Sequence, residues 1–491
     1  MEEMRLDIII PLLLYFIILY IIGFYSMRFV SKATSRVGKG FLTEYLTSDR
    51  NLSGFVIAMT LVASYLSAGS FIGGPGAAYS MGLTWVFLAM SQMPTGYFTL
   101  AILGKKFAII ARKINAVTVT DFLKERYDNK PLVIIVSISV VFFFIAAMTA
   151  QFIGASRLIQ GAVGIPYESA LIFFGVTVLV YTIIGGLRAV ALTDTLQGII
   201  MTVGMTMVLI AAVIAGGGVT NIIQNMYQID PGLISPYGVD PSFTSMAYVT
   251  SFWVLVGFGI VGLPHVANRA MCYRDSASLK SAIIYGTIVS MILLMGMHLL
   301  GAFGRPLVAD IPSGDLVIPT VTAMLFPNWI AGVILAAPLA AVMSTIDSQL
   351  LISIGAVVND IYANFFDIKN KQTSKLTYIC AIVIGAIVFV AAFNPPELMI
   401  WLNLHALSGL IATFLWPIIL GLYWKRANTA GAFASIITGI GSYMFFYYYL
   451  PTPLGAHAIF ATLLIALISF VGFTYLTPIP SEKIIKKFWG L

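Results

Sequence analysis

Charged residues are scarce in this 491-residue chain, since Asp, Glu, Lys and Arg make up only 10% of it and hydrophobic residues make up 59%. A mean hydropathy of +0.96 excludes a soluble domain, which needs a polar surface. The two cysteines, Cys272 and Cys380, exclude a disulfide framework, and the four histidines have no metal-ligand spacing. There is neither a Walker phosphate loop nor a Ser-His-Asp set, so we expect no enzyme.

The chain instead contains a series of apolar runs of about 20 residues, the length that an α-helix needs to cross a bilayer. The first run is too long for a signal-peptide core and lacks a cleavage site, so we expect it to be retained. No connection is long enough for a soluble domain. We therefore predict an all-α polytopic membrane protein with one transmembrane domain over 1–491. Its thirteen predicted spans are 7–27, 53–79, 82–104, 131–158, 166–186, 190–216, 246–272, 276–303, 328–356, 373–393, 397–424, 428–449 and 455–477.

The basic residues are distributed unevenly between the two sides of these spans. With the N-terminus outside, all but three of the 27 Lys and Arg residues fall on the cytoplasmic connections, the exceptions being Arg5, Arg157 and Arg305. This asymmetry predicts a multi-pass protein of the cell membrane with a cytoplasmic C-terminus. The same residues explain the net charge of +7, because they set topology and meet anionic lipid. We therefore expect neither a nucleic-acid partner nor an obligate protein partner.

Two of the spans are interrupted by glycine and proline. Span two has them within 69–76, after a polar patch of Ser64, Tyr65 and Ser67, and span seven has them within 257–264. Each interruption opens a block of five spans, which is typical of an inverted-repeat transporter whose broken helices meet at mid-membrane. Ordinary kinks are the alternative, because glycine is common in membrane helices.

The stretch 335–362 combines an apolar helix with Ser344, Thr345, Asp347 and Ser348 near its middle. The three hydroxyl residues share one helix face. A helix in lipid keeps such groups at mid-depth when that face looks into the protein, so we interpret the face as a site for a small, hard cation. In the alternative interpretation, the hydroxyls bond their own i−4 carbonyls at a contact between helices.

Asp194 and Gln197 lie one turn apart near the cytoplasmic end of span six. The carboxylate either lines the cytoplasmic route of a cation or caps a helix start together with Thr193.

Three stretches resemble the sodium:solute symporter family: GGLRAVALTDTLQ, LAAVMSTIDSQL followed by NDIY, and GLYWKRANTAGA. The resemblance covers the whole chain and implies sodium-coupled secondary active transport by alternating access. It also implies a LeuT-like fold of thirteen transmembrane helices, built on a five-plus-five inverted repeat. The implied parts are a leading helix (7–27), two repeats (53–216 and 246–424), two trailing helices (428–477) and a cytoplasmic tail (478–491).

The resemblance further implies that a co-transported sodium ion binds between the first and eighth core helices. The implied ligands are three backbone oxygens and two hydroxyls, those of Ala63, Leu66, Ala341, Ser344 and Thr345. Asp194 would lie on the sodium release path. Asp347 departs from the family pattern, in which this position is usually neutral. It is either an additional cation or proton site on the sodium path, or a protonated and hydrogen-bonded acid.

The stretches ASYLSAGSFIGGPGAAY, SFWVLVGFGIVGLPH and PPELMIWLNLHALSGL narrow the resemblance to members that import pantothenate. Proline or another small monocarboxylate is the alternative substrate. No Lys or Arg lies at mid-membrane on these spans, so exposed amides at a helix break and hydroxyls would hold a carboxylate. We expect His405 to be a packing histidine. The candidate substrate contacts are Ser64, Tyr65, Ser67, Ser70, Gln92, Trp253, Gly257, Gly259 and Asn403.

Overall fold

The computed structural model describes residues 7–21, 52–240, 245–362 and 370–490, with residues 181–192 and 370–374 described by their backbone alone. Apart from one parallel bridge between Leu52 and Tyr273, every regular element in these ranges is helical. The α-helices are α1 (Asp7–Ile21), α2 (Gly54–Tyr65), α3 (Gly74–Met81), α4 (Leu83–Met90), α5 (Thr95–Ile102), α6 (Gly104–Lys113), α7 (Val119–Tyr127), α8 (Lys130–Val163), α9 (Tyr167–Ala215), α10 (Val219–Ile229), α11 (Met246–Phe252), α12 (Pro264–Arg269), α13 (Ser276–Leu307), α14 (Val317–Leu325), α15 (Asn328–Gly355), α16 (Asn370–Ala391), α17 (Met399–Tyr423), α18 (Thr429–Tyr449), α19 (Ala458–Leu476) and α20 (Glu482–Trp489).

Several of these helices can cross a membrane. Within the described ranges, seven are long and apolar enough to do so, or nine if each of two bent pairs forms one span. The multi-pass, all-helical prediction is therefore confirmed. The number thirteen stays a prediction, and the end of the first predicted span, 22–27, lies outside the described residues.

The boundary predicted between the spans 166–186 and 190–216 is not marked by a break. The backbone is helical throughout α9, from Tyr167 to Ala215. Asp194 therefore lies inside a helix, so the interpretation of this residue as a helix cap is wrong.

Both predicted interruptions are present. Helix α2 ends at Tyr65 because Leu66 is extended (φ −74°, ψ 116°), and the chain continues as a π-helical turn, Gly69–Gly73, into α3. The two halves of this span are bent by 67°. In span seven a π-helical turn and a 3₁₀ turn follow α11, and the helix breaks at Leu263 (φ −82°, ψ 118°). Pro264 explains this break, because proline lacks an amide hydrogen and disfavours helical backbone in the preceding residue.

Helix α15, which carries the polar stretch, lies at the centre of the bundle. Its apolar window is 83% buried inside the protein, against 33% for α19, so its side chains face other helices rather than lipid. It packs against α2, α8 and α9. Gly204 of α9 allows one of these contacts, because a Cβ added there would lie only 3.2 Å from the Ala337 Cβ. The polar face of α15 lies against the break in span two, where Ser344 and Thr345 contact the end of α2.

Candidate functional site

Five oxygen atoms meet where α15 passes the end of α2. The last turn of α2 leaves backbone carbonyls without helical donors, because the chain is extended at Leu66. The Ser344 hydroxyl lies 2.8 Å from the Ala63 carbonyl oxygen. The Thr345 hydroxyl lies 3.3 Å from the Leu66 oxygen and 3.5 Å from the Ala63 oxygen.

The carbonyl of Ala341 completes this group. Its oxygen lies 3.1 Å from the Ser344 hydroxyl and 2.9 Å from the Thr345 hydroxyl. The structure thus brings together all five atoms that the resemblance implies as sodium ligands. Neutral oxygens at these separations suit a small, hard cation. Thr345 and Ser344 also bond their own i−4 carbonyls, at 2.9 Å each, as the alternative interpretation predicts.

A buried arginine lies directly beside this oxygen cluster. The Arg269 guanidinium donates to the Ser64 hydroxyl at 3.0 Å and to the Ser348 hydroxyl at 2.6 Å. Its Nη2 atom lies 3.7 Å from a carboxylate oxygen of Asp194. The sequence assigned Arg269 only to the basic cytoplasmic connections. Its position just after the break at Pro264 was the available signal, because a charge next to a broken span is costly unless it faces the protein interior.

Asp194 and Gln197 belong to the same polar region but have different partners. Thr60 of α2 donates to Asp194, and the Gln197 amide donates to the Tyr15 hydroxyl at 3.0 Å. Asp347 is fully buried and, like Asp194, lies close enough to Tyr15 to interact with it electrostatically. Two carboxylates therefore lie near α1 on the polar side of α15.

A cavity surrounds the break in span two, and five of the predicted substrate contacts line it. The Tyr65 hydroxyl donates to the Gln92 side-chain oxygen at 2.7 Å. Aromatic and apolar residues complete the wall, including Trp85, Phe252 and Val256. The five predicted contacts on the cavity wall are Tyr65, Ser67, Ser70, Gln92 and Asn403.

The other four candidates lie outside this cavity. Ser64 belongs to the Arg269 cluster instead. Trp253 is 48% exposed on the surface of the helix bundle. Its neighbour Phe252 faces the cavity instead, because successive residues of a helix point in directions about 100° apart. A Cβ added at Gly257 would meet the Ser91 backbone, and one at Gly259 would meet Val254, so both glycines serve close packing.

Two polar residues of the cavity region were missed by sequence reasoning. Gln151 of α8 accepts a hydrogen bond from the Ala68 amide at 2.7 Å and donates to Asn403 at 3.2 Å. His298 lines the cavity, and its Nδ1 lies 2.6 Å from the Leu294 carbonyl oxygen. A lone Gln or His in an apolar run gives no signal of its own in one sequence.

The amides at the break are already engaged in this structure. Ala68 donates to Gln151, and the Gly69 amide donates to the Ser67 hydroxyl at 3.1 Å. The sequence predicts that amides at the break hold a carboxylate. These two amides would first have to exchange their present partners.

On the predicted outer side, a further polar contact joins three elements. Asp315, in the 3₁₀ turn Gly314–Leu316, accepts from the Met399 amide at 3.1 Å and lies 3.7 Å from the Arg157 guanidinium. Burial raises the pKa of Asp315 to about 6, and the Met399 hydrogen bond and Arg157 oppose this rise. We call this group the outer latch (Arg157, Asp315 and Met399).

His405 packs between α17 and α18. Its ring lies 4.0 Å from the Tyr447 ring, centroid to centroid, and Nδ1 lies 2.9 Å from the Tyr443 hydroxyl. These contacts are those of a packing histidine, as expected.

Known proteins resemble this chain in sequence over most of its length. The family model described as "Sodium:solute symporter family" matches residues 45–439. The chain is 47% identical to the sodium/pantothenate symporter of Escherichia coli (strain K12) over 486 residues, covering 98% of this chain and 99% of that protein. It is 45% identical to the sodium/pantothenate symporter of Haemophilus influenzae (strain ATCC 51907 / DSM 11121 / KW20 / Rd) over 477 residues, covering 95% and 96%.

The fold is similar to that of a solved Na+-coupled sialic acid symporter in a substrate-bound, outward-open state. The TM-score is 0.79 at 20% sequence identity, over 97% of this chain and 99% of that one. At this identity the likeness concerns the fold alone.

Proposed function

The chain belongs to the sodium:solute symporter family, and from that premise we propose that it imports pantothenate together with sodium by alternating access. Family membership confirms the resemblance of the three sequence stretches. It also confirms that the protein is a transporter rather than an enzyme, with sodium as the co-transported ion.

The observation that carries the proposal is the five-oxygen cluster between α2 and α15. Sodium would bind the carbonyls of Ala63, Leu66 and Ala341 and the hydroxyls of Ser344 and Thr345. An ion held there contacts both the broken span and the central helix. Its binding would therefore favour the arrangement of the break that also shapes the adjacent cavity, which couples the two ligands.

The substrate would bind in the cavity around the break, against Tyr65, Ser67, Ser70, Gln92 and Asn403, and the cavity, whose volume is about 30 Å³ in this structure, would have to widen to admit it. The described residues of its wall include no Lys or Arg, so neutral donors would hold the carboxylate. Ser64, Trp253, Gly257 and Gly259 would act through packing or through the Arg269 cluster rather than by contact.

Alternating access would open and close the two ends of this pathway. On the inner side, the Arg269 guanidinium ties α12 to α2 and α15, and sodium would leave past Asp194. On the outer side, the latch ties α8 and α17 through Asp315. Opening one end while the other stays closed would move substrate and sodium together.

The remaining topology is also part of the proposal. We infer thirteen crossings in one domain, an outside N-terminus and a cytoplasmic C-terminus from the distribution of Lys and Arg. The inferred parts keep the bounds given for the leading helix, the two repeats, the trailing helices and the tail. Anionic lipid would contact the basic connections, and no obligate protein partner is needed.

The test is uptake of labelled pantothenate into proteoliposomes, driven by an inward sodium gradient or by an equal potassium gradient. Proline and lactate are measured in parallel. We expect uptake of pantothenate with sodium only, and its loss in the double variant Ser344→Ala/Thr345→Ala, which removes both hydroxyl ligands.

Ser353→Ala is the matched control, because Ser353 lies on the same helix, is buried and, among the described residues, bonds its own i−4 carbonyl. Sodium-dependent uptake of proline or lactate in place of pantothenate would overturn the proposed substrate but not the proposed sodium site. Uptake that does not depend on sodium, or a double variant as active as the control, would overturn the proposed site.

A further inference from the structure

We propose that Gln151 orients the amide of Asn403 so that its NH₂ group faces the cavity and recognises the carboxylate of the substrate. Gln151 is a positioning residue in this proposal, because it acts through Asn403 rather than by touching the substrate. The inference rests on the proposed function, since it assigns these roles within the pantothenate site.

The backbone N–H of Ala68 can only donate, and it points at the side-chain oxygen of Gln151, 2.7 Å away. A primary amide has its oxygen on one side and its NH₂ group on the other, so this bond fixes the position of Gln151 Nε2. That nitrogen donates to Asn403 Oδ1 at 3.2 Å. The Asn403 oxygen therefore faces Gln151.

The NH₂ group of Asn403 consequently faces the other way, toward the break in span two. A Cβ added at Gly69 would lie 2.6 Å from Asn403 Nδ2, which shows how closely this nitrogen approaches the broken backbone. Asn403 also lines the cavity. Among the described residues, the hydrogen bond of its side chain is the one that its oxygen accepts, so the NH₂ hydrogens remain available to a ligand in the cavity.

Other donors accompany this NH₂ group. The hydroxyls of Ser67 and Ser70 line the same cavity, and Ser67 accepts a hydrogen bond from the Gly69 amide, which leaves its own hydrogen free to donate. A carboxylate withdrawn from water needs donors around both oxygens. If the side-chain amide of Asn403 were flipped, its oxygen would face the carboxylate and repel it. The orientation set by Gln151 therefore decides whether the site accepts an anion.

The experiment compares two ligands on purified protein in detergent with sodium present. One is pantothenate and the other is its alcohol analogue, in which CH₂OH replaces the carboxylate. Dissociation constants are measured calorimetrically for the wild type, Asn403→Leu, Gln151→Met and the double variant. Thr413→Val and Ser156→Ala are the controls, since these buried hydroxyls lie on the same two helices and, among the described residues, bond their own i−4 carbonyls.

We expect Asn403→Leu to weaken the binding of pantothenate by about tenfold or more and that of the alcohol by less than about threefold. A hydrogen bond to a charged group is stronger than one to a neutral group. Gln151→Met should also weaken the binding of pantothenate more than that of the alcohol, with a loss of about threefold or more for pantothenate. In the double variant, the difference between the losses of affinity for the two ligands should be no larger than in Asn403→Leu alone, because Gln151 acts through Asn403.

Equal weakening of both ligands by Gln151→Met would mean a purely structural role and would overturn the inference. Selectivity changes that add in the double variant would overturn it as well. Failure of the wild type to bind pantothenate in sodium is a different result, which overturns the proposed function itself.

Discussion

Arg269 brings a full positive charge into the helix bundle, beside the oxygens that would hold sodium. Its hydrogen bonds go to the hydroxyls of Ser64 and Ser348, and the carboxylate of Asp194, 3.7 Å from Nη2, balances its charge. Ser348 lies one helical turn beyond Ser344 and donates to its carbonyl at 3.0 Å. A sodium ion that leaves the five-oxygen cluster toward Asp194 must therefore compete with the guanidinium for the same oxygens.

This competition predicts the effect of Arg269→Gln. Without the guanidinium, Asp194 would retain sodium on its way out, because its charge would no longer be compensated. We expect the maximal rate of sodium-driven uptake to fall by about tenfold or more, while the half-saturating sodium concentration does not rise. Initial rates in proteoliposomes over a range of sodium concentrations measure both quantities.

Arg274→Gln is the control for this substitution, because Arg274 lies on the same connection but is exposed and pairs with Asp275 on the surface. A rate equal to that of the control would contradict the prediction. Thermal unfolding in detergent separates a loss of rate from a loss of folded protein, since removing one partner of a buried charge cluster can cost ~3–5 kcal/mol.

At the scale of elements, the outer latch joins helices of both proposed repeats. Arg157 belongs to α8 and Met399 begins α17, and Asp315 lies in the turn between α13 and α14. Opening the outer end must pull this carboxyl away from both partners and expose it to water. Its pKa would then return from about 6 toward the ordinary value of 3.8.

This difference predicts a pH dependence. Because the closed latch binds a proton more tightly than the open one, acidification from about pH 6 to about pH 4 favours the closed state. We expect sodium-driven uptake to fall when the external pH is lowered through this window at a constant internal pH. In Asp315→Asn the fall between about pH 6 and about pH 5 should be much smaller, because the latch carboxyl is gone, whereas the substrate carboxylate is protonated only near about pH 4, in both proteins alike. An unchanged pH profile in this variant would remove Asp315 from gating.

For the whole molecule, the question is how much energy one transport cycle can use. A tenfold sodium gradient supplies ~1.4 kcal/mol, and a potential of 100 mV supplies ~2.3 kcal/mol per charge moved. Pantothenate is a monoanion, so transport with one sodium ion moves no net charge and allows only about tenfold accumulation. Stronger accumulation requires a second cation, for which the buried Asp347 is the candidate.

The charge balance predicts how Asp347→Asn behaves. If Asp347 binds a second sodium ion or a proton, wild-type uptake carries one positive charge per pantothenate and responds to a potassium diffusion potential. We expect the charge per substrate to fall to about zero in the variant, with uptake continuing at a lower accumulation ratio. Parallel measurement of current and labelled substrate gives the charge moved per substrate. The same charge per substrate in both proteins would show that Asp347 is not the second site.

Several parts of the site could be predicted from the sequence because they depend on neighbours along the chain. Glycine and proline mark both broken spans, and a periodicity of three to four residues places Ser344, Thr345 and Ser348 on one face of α15. The sodium ligands could be named only through the resemblance to a family, because nothing in one sequence connects Ala63 with a helix 281 residues away.

The remaining features depend on how the helices pack and rotate. Phe252 faces the cavity in place of Trp253 because a turn of about 100° per residue decides which neighbour points inward. Arg269 meets Ser64 across 205 residues, and Gln151 meets Asn403 across 252.

The sequence by itself determined a multi-pass helical protein, the positions of its breaks and the polar face of its central helix. These follow from hydrophobicity and backbone preference, which act locally. Only the tertiary structure decided which polar groups become partners, because a buried donor bonds an acceptor that packing brings within about 3 Å, and that acceptor is often far away along the chain.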